Sequence, residues 1–460
     1  MTETVVRIAA RGDGVTGSGR HMPFTAPGDL VQPDGIVLPG PHRAVPPCRH
    51  FPECGGCQLQ HVDDIAYGRF LQDRIVSALA AQGVPAPDLL PPHISPPVSR
   101  RRASLRAERR GSQVRLGFNA EKSHRIVDMR ECFILRTELF ALVEPLRTLM
   151  GHLLGPRGSG GVRMTLADQG ADILLDKVSV EGLEATERLA EFAATYRLAR
   201  LAIDDGYGPQ TRWEPEPVTV TLGRRHPGES RDPGTRARRA SGSVDPPPTM
   251  SLGPGEGQPR HPGESRDLSS EKTPAQLLPE APASAGATGV PVPLPHGAFL
   301  QATAEGEEAL VESVRAAVGP GRLVADLFAG LGTFALSLDG RVYAAEGDRD
   351  AAAAMKLAAD RAQRPVFVDH RDLYRRPLDA SELGRFEAVL LDPPRAGARE
   401  QIALLARSSV PRIAYVSCNP NTFARDAKTL IDGGYRFDWV KPVGQFRWST
   451  HVELAAAFTR

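Results

Sequence analysis

The chain has 460 residues, a formal net charge of +1, 24% charged residues and 41% hydrophobic residues. That length suggests two or three domains, and the balanced charge excludes a uniformly basic nucleic-acid coat or an acidic solubilising protein, though not a local basic patch. No run of 18 apolar residues occurs, residues 1–7 lack the apolar core of a secretory signal, and five cysteines are too few for a disulfide-stapled scaffold, so a cytoplasmic monomer without membrane partners is expected.

Residues 4–38 alternate apolar and polar positions between Gly and Pro turns, which predicts a small β-barrel. Next come Cys48, Cys54 and Cys57, a helix over 65–81, an arginine-rich stretch and Cys132. Residues 137–222 predict helices at 139–153 and 180–192 and strands at 162–166 and 172–175. Residues 224–287 hold 11 Pro, 8 Gly and no aromatic residue, too little apolar surface to offset the entropy of ordering, so disorder is expected. The octapeptide Arg-His-Pro-Gly-Glu-Ser-Arg-Asp occurs there twice, at 225–232 and 260–267. Two polar copies make no solenoid. The segment reads as a tolerated surface-loop insertion rather than a tether, since short strands flank it at 218–222 and 290–294.

After the insertion the rhythm changes to strand–helix alternation. Strands at 323–325, 341–345, 365–368, 388–391, 412–416 and 452–458 predict an α/β fold with a mostly parallel sheet. The expected organisation is a barrel at 1–44, a central domain at 45–223, the insertion at 224–287 and an α/β domain at 288–460.

Residues 324–335 read as a strand, a glycine-rich turn and a helix start, with Gly330 and Gly332 letting the backbone bend and approach a ligand. Glu346 lies twenty residues after Asp326, placed to accept hydrogen bonds from ribose hydroxyls. The turn alone also fits a dinucleotide site; Asp326 favours a nucleoside without pyrophosphate, such as S-adenosylmethionine. Two later strands end in Asp392-Pro-Pro-Arg395 and Ser417-Cys418-Asn419-Pro420, where open α/β sheets bind ligands. A free cysteine is commonly a buried filler, but the polar turn around Cys418 favours a nucleophile.

Together these motifs resemble those of the S-adenosylmethionine-dependent RNA 5-methyluridine methyltransferases, in particular their iron–sulfur branch acting on 23S rRNA. The resemblance rests on Asp-Leu-Phe-x-Gly-x-Gly-Thr (326–333), Leu-Asp-Pro-Pro-Arg (391–395), Val-Ser-Cys-Asn-Pro (416–420) and His-Val-Glu (451–453). It covers nearly everything except the insertion. It implies a Rossmann-like methyltransferase domain, Cys418 as the nucleophile and Glu453 as the base. It also implies cofactor contacts from Gln301, Phe328, Gly330, Thr333, Glu346, Asp372 and Asp392. From its sequence alone Glu453 could equally be an exposed strand carboxylate. The family's Phe-x-Gln-x-Asn is Phe299-Leu-Gln301-Ala-Thr303 here, and its Asp–aromatic–Phe-Pro is Gly444-Gln-Phe-Arg447.

Cys48, Cys54 and Cys57 with the distant Cys132 form one close pair rather than two knuckles. A four-Cys zinc site stays open, while the resemblance implies a [4Fe–4S] cluster on these four residues. Residues 97–136 carry ten Arg and one Lys against four acids, a local net of +7. Such a run is often a solvated face. Between the third and fourth cysteines it reads as a phosphate-contacting hairpin. The N-terminal stretch resembles a shortened TRAM barrel, an RNA-binding module, at 12–14 and 26–29. The function expected is transfer of a methyl group to C5 of a uridine in 23S rRNA; the alternatives are the same chemistry on tRNA and a non-catalytic iron–sulfur RNA-binding protein.

Overall fold

A computed structural model describes residues 1–223, 289–321 and 323–460; the segment 224–287 and its two octapeptides lie outside the described residues. The strand–helix alternation folds into one sheet. Its strands in chain order are β1 (Leu323–Leu327), β2 (Arg341–Glu346), β3 (Val366–His370), β4 (Ala388–Leu391), β5 (Arg412–Ser417), β6 (Arg436–Gly444) and β7 (Glu453–Thr459). They lie in the order 3-2-1-4-5-7-6. Every neighbouring pair from β3 to β5 is parallel, and β7 runs antiparallel between β5 and β6. Because β7 is reversed, its first residue, Glu453, stands on the edge where β1, β2, β4 and β5 end. β6 is the strand that sequence patterning did not single out: it carries Pro442, which cannot donate to a ladder, and it lies towards the sheet edge.

The helix Asp64–Ala81 joins this sheet although it precedes it by some 240 residues. Asp63 caps it by accepting the Ala66 N–H at 2.8 Å. Tyr67, Phe70, Leu71, Ile75 and Leu79 form its apolar stripe and are buried in one cluster with Phe423, Leu454 and Phe458. Each contributes about 1.5–3 kcal/mol of burial, so the helix is part of the core of the α/β domain. Two short strands, Asp88–Leu89 and His93–Ile94, then extend the sheet along β6. The expected division is thereby cut across, since residues 64–94 pack with the α/β domain.

The remainder of the central region is a six-stranded sheet in the order Pro209–Trp213, Arg200–Asp204, Gly170–Asp176, Ser159–Ala167, Arg102–Arg110, Gln113–Gly117. Its core holds Leu105, Leu146, Met150, Val162, Ile173 and Leu201. The helix expected at 139–153 is broken into Thr137–Phe140 and Val143–Leu153. Pro145 is the reason: in a continuous helix its ring would clash with the Ala141 carbonyl, which it cannot satisfy, whereas in a new first turn no N–H is needed.

Residues 3–38 form five short antiparallel strands in the order His21–Met22, Gly14–Thr16, Glu3–Ile8, Leu30–Val31, Val37–Leu38. No ladder joins the two outer strands, so in its hydrogen bonding the expected barrel is an open sheet. The flanks of the insertion are strands, as expected, and they pair with each other, Thr219 opposite Pro293 and Leu222 opposite Val290. No described helix is long and apolar enough to cross a membrane.

Candidate active site

The turn after β1 shows why its glycines are needed. Gly330 has φ +57° and a Cβ there would meet no atom within 4 Å, so the backbone faces open space. Gly332 has φ +88°, and a Cβ would lie 2.8 Å from Met355 Cγ on the neighbouring helix. Glu346, at the end of β2, accepts the Gly330 and Asp348 N–H groups, each at 2.7 Å. Its carboxylate is thus fixed beside the turn, with lone pairs left for hydroxyl donors. Phe328 (φ +65°) sets its ring 5.4 Å from that of Tyr374. The Tyr374 hydroxyl donates to the Gly397 carbonyl at 3.1 Å, linking the loops after β3 and β4. Asp372 accepts the Tyr374 N–H at 3.0 Å in the same loop, and Thr333 is half-buried in the turn.

The β5–β7 ladder brings the expected nucleophile and base together. Ser417 pairs with Leu454, so the next step of that register sets Cys418 opposite Glu453. Asn419 caps the helix Pro420–Asp432 and Pro420 occupies its first turn. Cap and proline together explain the Ser-Cys-Asn-Pro order: strand end, thiol, cap, helix start. The thiol stands at a helix N-terminus, which favours its anion. The loop bearing Arg395 is tied to the same helix, its carbonyl accepting from Asn419 Nδ2 at 3.0 Å and Thr422 Oγ1 at 3.1 Å. Asp426 secures it further, accepting the Ala398 N–H at 2.9 Å and the Tyr415 hydroxyl at 2.7 Å.

The electrostatics of this corner oppose ionisation. Burial and the nearby Asp392 raise Asp326 to about 8, and burial raises Asp392 to about 7. Glu453, 4% exposed, is pushed up to about 8 by burial and by Asp392, while Gln445, Arg102 and Arg395 pull it down. Burial, Glu453 and Asp392 raise the Cys418 thiol; Arg395 lowers it through its charge and a hydrogen bond. Three carboxyls and a thiol crowded in one buried corner suit a cationic ligand and general acid–base work.

Gln301 reaches the same corner by a route that the sequence did not reveal. Gln445 Nε2 donates to Gln301 Oε1 at 2.7 Å and also to Glu453 Oε2. The only sequence signal for Gln445 was its place just before the reversed strand, where the family pattern has other residues. Thr303, which stands where the family has Asn, caps the helix Ala304–Val318 by accepting the Gly306 N–H at 3.0 Å and hydrogen-bonds Ser95 Oγ at 2.7 Å.

Cys48, Cys54, Cys57 and Cys132 line one pocket with Phe118 and Met129. All four are free thiols. Burial and the neighbouring thiols raise Cys54 to about 11 and Cys57 to about 12. Among the described residues, no three His, Cys, Asp or Glu side chains converge as ligands of a single ion do. Trp448 packs against Cys57 and Ile134, and its carbonyl accepts the Gln58 and Leu59 N–H groups at 2.7 and 2.8 Å.

The arginine-rich run does form a hairpin, Arg102–Arg110 with Gln113–Gly117. Much of its charge, however, faces inward. Arg101 pairs with Glu307, both side chains nearly buried, and its Nε donates to the Gln301 carbonyl at 3.0 Å. Arg100 lies 5.8 Å from the Phe118 ring and 5.4 Å from Phe446; Arg102 lies 4.5 Å from Phe299. Arg109 donates to the Gly151 and Leu154 carbonyls at the end of the helix Val143–Leu153. Arg110 and Arg115 are exposed.

The strand order 3-2-1-4-5-7-6 and the glycine turn after β1 held by Glu346 fit the class of S-adenosylmethionine-dependent methyltransferases. A family profile described as tRNA (Uracil-5-)-methyltransferase matches residues 357–460. A Zymomonas mobilis protein described as an uncharacterized RNA methyltransferase is 47% identical over 458 residues, 99% of each chain. The 23S rRNA (uracil(1939)-C(5))-methyltransferase of Chromohalobacter salexigens is 29% identical over 433 residues, 91% of this chain and 77% of its own. Among solved structures, the Pyrococcus abyssi tRNA (uracil-54, C5)-methyltransferase in complex with S-adenosyl-L-homocysteine shares the fold, with a TM-score of 0.64, 18% identity and 100% of both chains covered. The chain belongs to this RNA methyltransferase family and is an S-adenosylmethionine-dependent RNA (uracil-C5-)-methyltransferase.

Proposed function

We propose that the chain methylates C5 of a uridine in 23S rRNA through a covalent adduct between Cys418 and C6 of the base. The observation that carries this reading is the register that sets Cys418 opposite Glu453, with Asp392 and Arg395 acting on both. Uracil C5 is a weak nucleophile. The Cys418 thiolate donates a pair to C6, and the C5=C6 electrons move into an enolate with density on C5. S-adenosylmethionine, when bound, supplies an electrophilic methyl group on a sulfonium. Glu453 then removes the C5 proton, the double bond re-forms and the thiolate leaves. Arg395 stabilises the thiolate at both ends of the cycle. Asp392 holds the base or the methionyl group near Cys418. Gln301, Phe328, Gly330, Thr333, Glu346 and Asp372 bind the cofactor. The target uridine must be unstacked to reach this corner.

The four thiols hold a [4Fe–4S] cluster that staples the cysteine-bearing loop to the central sheet. The support for this reading is that all four cysteines line one pocket, the thiolate number that a [4Fe–4S] centre takes. The exposed arginines of the hairpin and the N-terminal sheet, which resembles a TRAM module, contact RNA phosphates. The substrate rRNA places the enzyme in the cytoplasm. The choice of 23S rRNA over tRNA follows the named activity of the Chromohalobacter relative. Nucleoside mass spectrometry of rRNA and tRNA from a deletion strain tests it: 5-methyluridine is expected to disappear from 23S rRNA, and its loss from tRNA alone would overturn the choice. Iron and acid-labile sulfide after anaerobic purification test the cluster; zinc without sulfide would reject it.

A further inference from the structure

Gln445 is 1% exposed, and its side chain joins three partners. Oε1 accepts the Ala302 N–H at 2.7 Å, and Nε2 donates to Gln301 Oε1 at 2.7 Å and to Glu453 Oε2. A backbone N–H can only donate, so the amide has one orientation, with both of its own N–H groups turned to the two acceptors. The segment that carries Gln445 is pinned from outside the α/β sheet. The Tyr67 hydroxyl lies 3.1 Å from the Phe446 and Ser449 carbonyls, and the cysteine-bearing loop donates to Trp448. Gly306 leaves room for it, since a Cβ there would lie 2.6 Å from Gln445 Cβ.

We propose that Gln445 is a positioning residue for the elimination step: bound to one oxygen of Glu453, it fixes that carboxyl group and turns the other oxygen towards the C5 proton. The proposal rests on the reading of Glu453 as the base. In the step, the C5 proton passes to Glu453, the C5–H pair becomes the C5=C6 bond, and the C6–S pair leaves with Cys418 as thiolate; no further reactant is needed. The amide exchanges no proton, so it acts only through Glu453. The groups facing Glu453 are Asp392, which together with burial raises its pKa, Arg102 and Arg395, which lower it, and the Cys418 thiol. Loss of the Gln445 donor moves that pKa upward, further from neutral pH.

The test uses the full chain carrying Gln445→Met, Gln445→Glu or Glu453→Gln, with S-adenosylmethionine and RNA from a strain lacking the enzyme. Turnover is followed against pH, and the methylated protein–RNA complex is measured on denaturing gels. Gln445→Met is expected to slow turnover roughly 10- to 150-fold at neutral pH, the worth of a hydrogen bond to a charged group. Its rising limb should move to higher pH and the methylated covalent complex should accumulate, because methyl transfer precedes the impaired step. Gln445→Glu keeps the bond from Ala302 and replaces the donor by an acceptor; it carries the same expectation should the Met variant fail to fold. Glu453→Gln should accumulate the complex with no turnover. If it does while the Gln445 variants keep the wild-type pH limb and form no complex, the positioning role is overturned and the base stands. A raised KM for S-adenosylmethionine with an unmoved limb would likewise overturn it, assigning Gln445 to Gln301 alone. If Glu453→Gln yields no complex, the base reading fails first.

Discussion

The carboxyl edge of the α/β sheet and the arginine-rich hairpin both announce themselves in the sequence, one by motifs and the other by charge. At the sheet edge the motifs keep their meaning in space: Cys418 and Glu453 are set opposite by one ladder step, and Gly330 is bonded to Glu346. At the start of the arginine-rich run the charge count misleads, because Arg101 reaches Glu307 and the Gln301 carbonyl while Arg100 and Arg102 lie over aromatic rings. Register transfers from sequence to structure wherever strands pair. Net charge does not, since it records nothing of which guanidinium faces solvent.

That contrast can be broken in order of effect. Cys418→Ala should abolish methyl transfer, a loss on the order of 10⁴–10⁶-fold as for other removed nucleophiles, with the melting temperature nearly unchanged; product formation in single-turnover assays checks it. Arg101→Ala should destabilise the fold by about 3–5 kcal/mol, because it strands the Glu307 carboxylate between the two halves of the molecule. Arg110→Ala, at an exposed position, should leave the melting temperature in place and weaken RNA binding with a smaller salt slope. Equal melting temperatures for these two arginine variants would erase the distinction between them.

A smaller effect concerns pH. Asp326, Asp392 and Glu453 have folded-state pKa values of about 8, 7 and 8, above the ordinary carboxyl range. The folded state therefore binds protons that the unfolded chain has released. Its stability from these groups is full below about pH 4 and is lost as pH rises through 7 and 8. Thermal melts of the ligand-free protein should shift downward across that window, and Asp326→Asn should flatten the slope. An upward shift, or an unchanged slope in the variant, would contradict the buried-carboxyl account.

The α/β strands were legible because apolar runs such as Ala388–Leu391 are buried on both faces. Cys418 was legible because Asn419 and Pro420 write a helix start directly after a strand end. Other features were not, for physical reasons. The docking of the helix Asp64–Ala81 on Phe423 and Phe458 is a non-local contact that its own stripe cannot specify. Pro145 was a visible helix breaker whose effect at Ala141 a periodicity count passes over. Gln445 carried no motif, and its importance comes from three partners in distant segments, Gln301, Ala302 and Glu453.

The most direct measurement of the central claim uses 23S rRNA substituted with 5-fluorouridine, incubated with the enzyme and S-adenosylmethionine. Fluorine at C5 cannot leave as a cation, so the elimination stops after methyl transfer and the adduct persists. Peptide mass spectrometry should find a methylated fluorouridine on Cys418, and none when Cys418 is replaced by Ala. An adduct on another cysteine, or methylated product with no adduct on Cys418, would contradict the account.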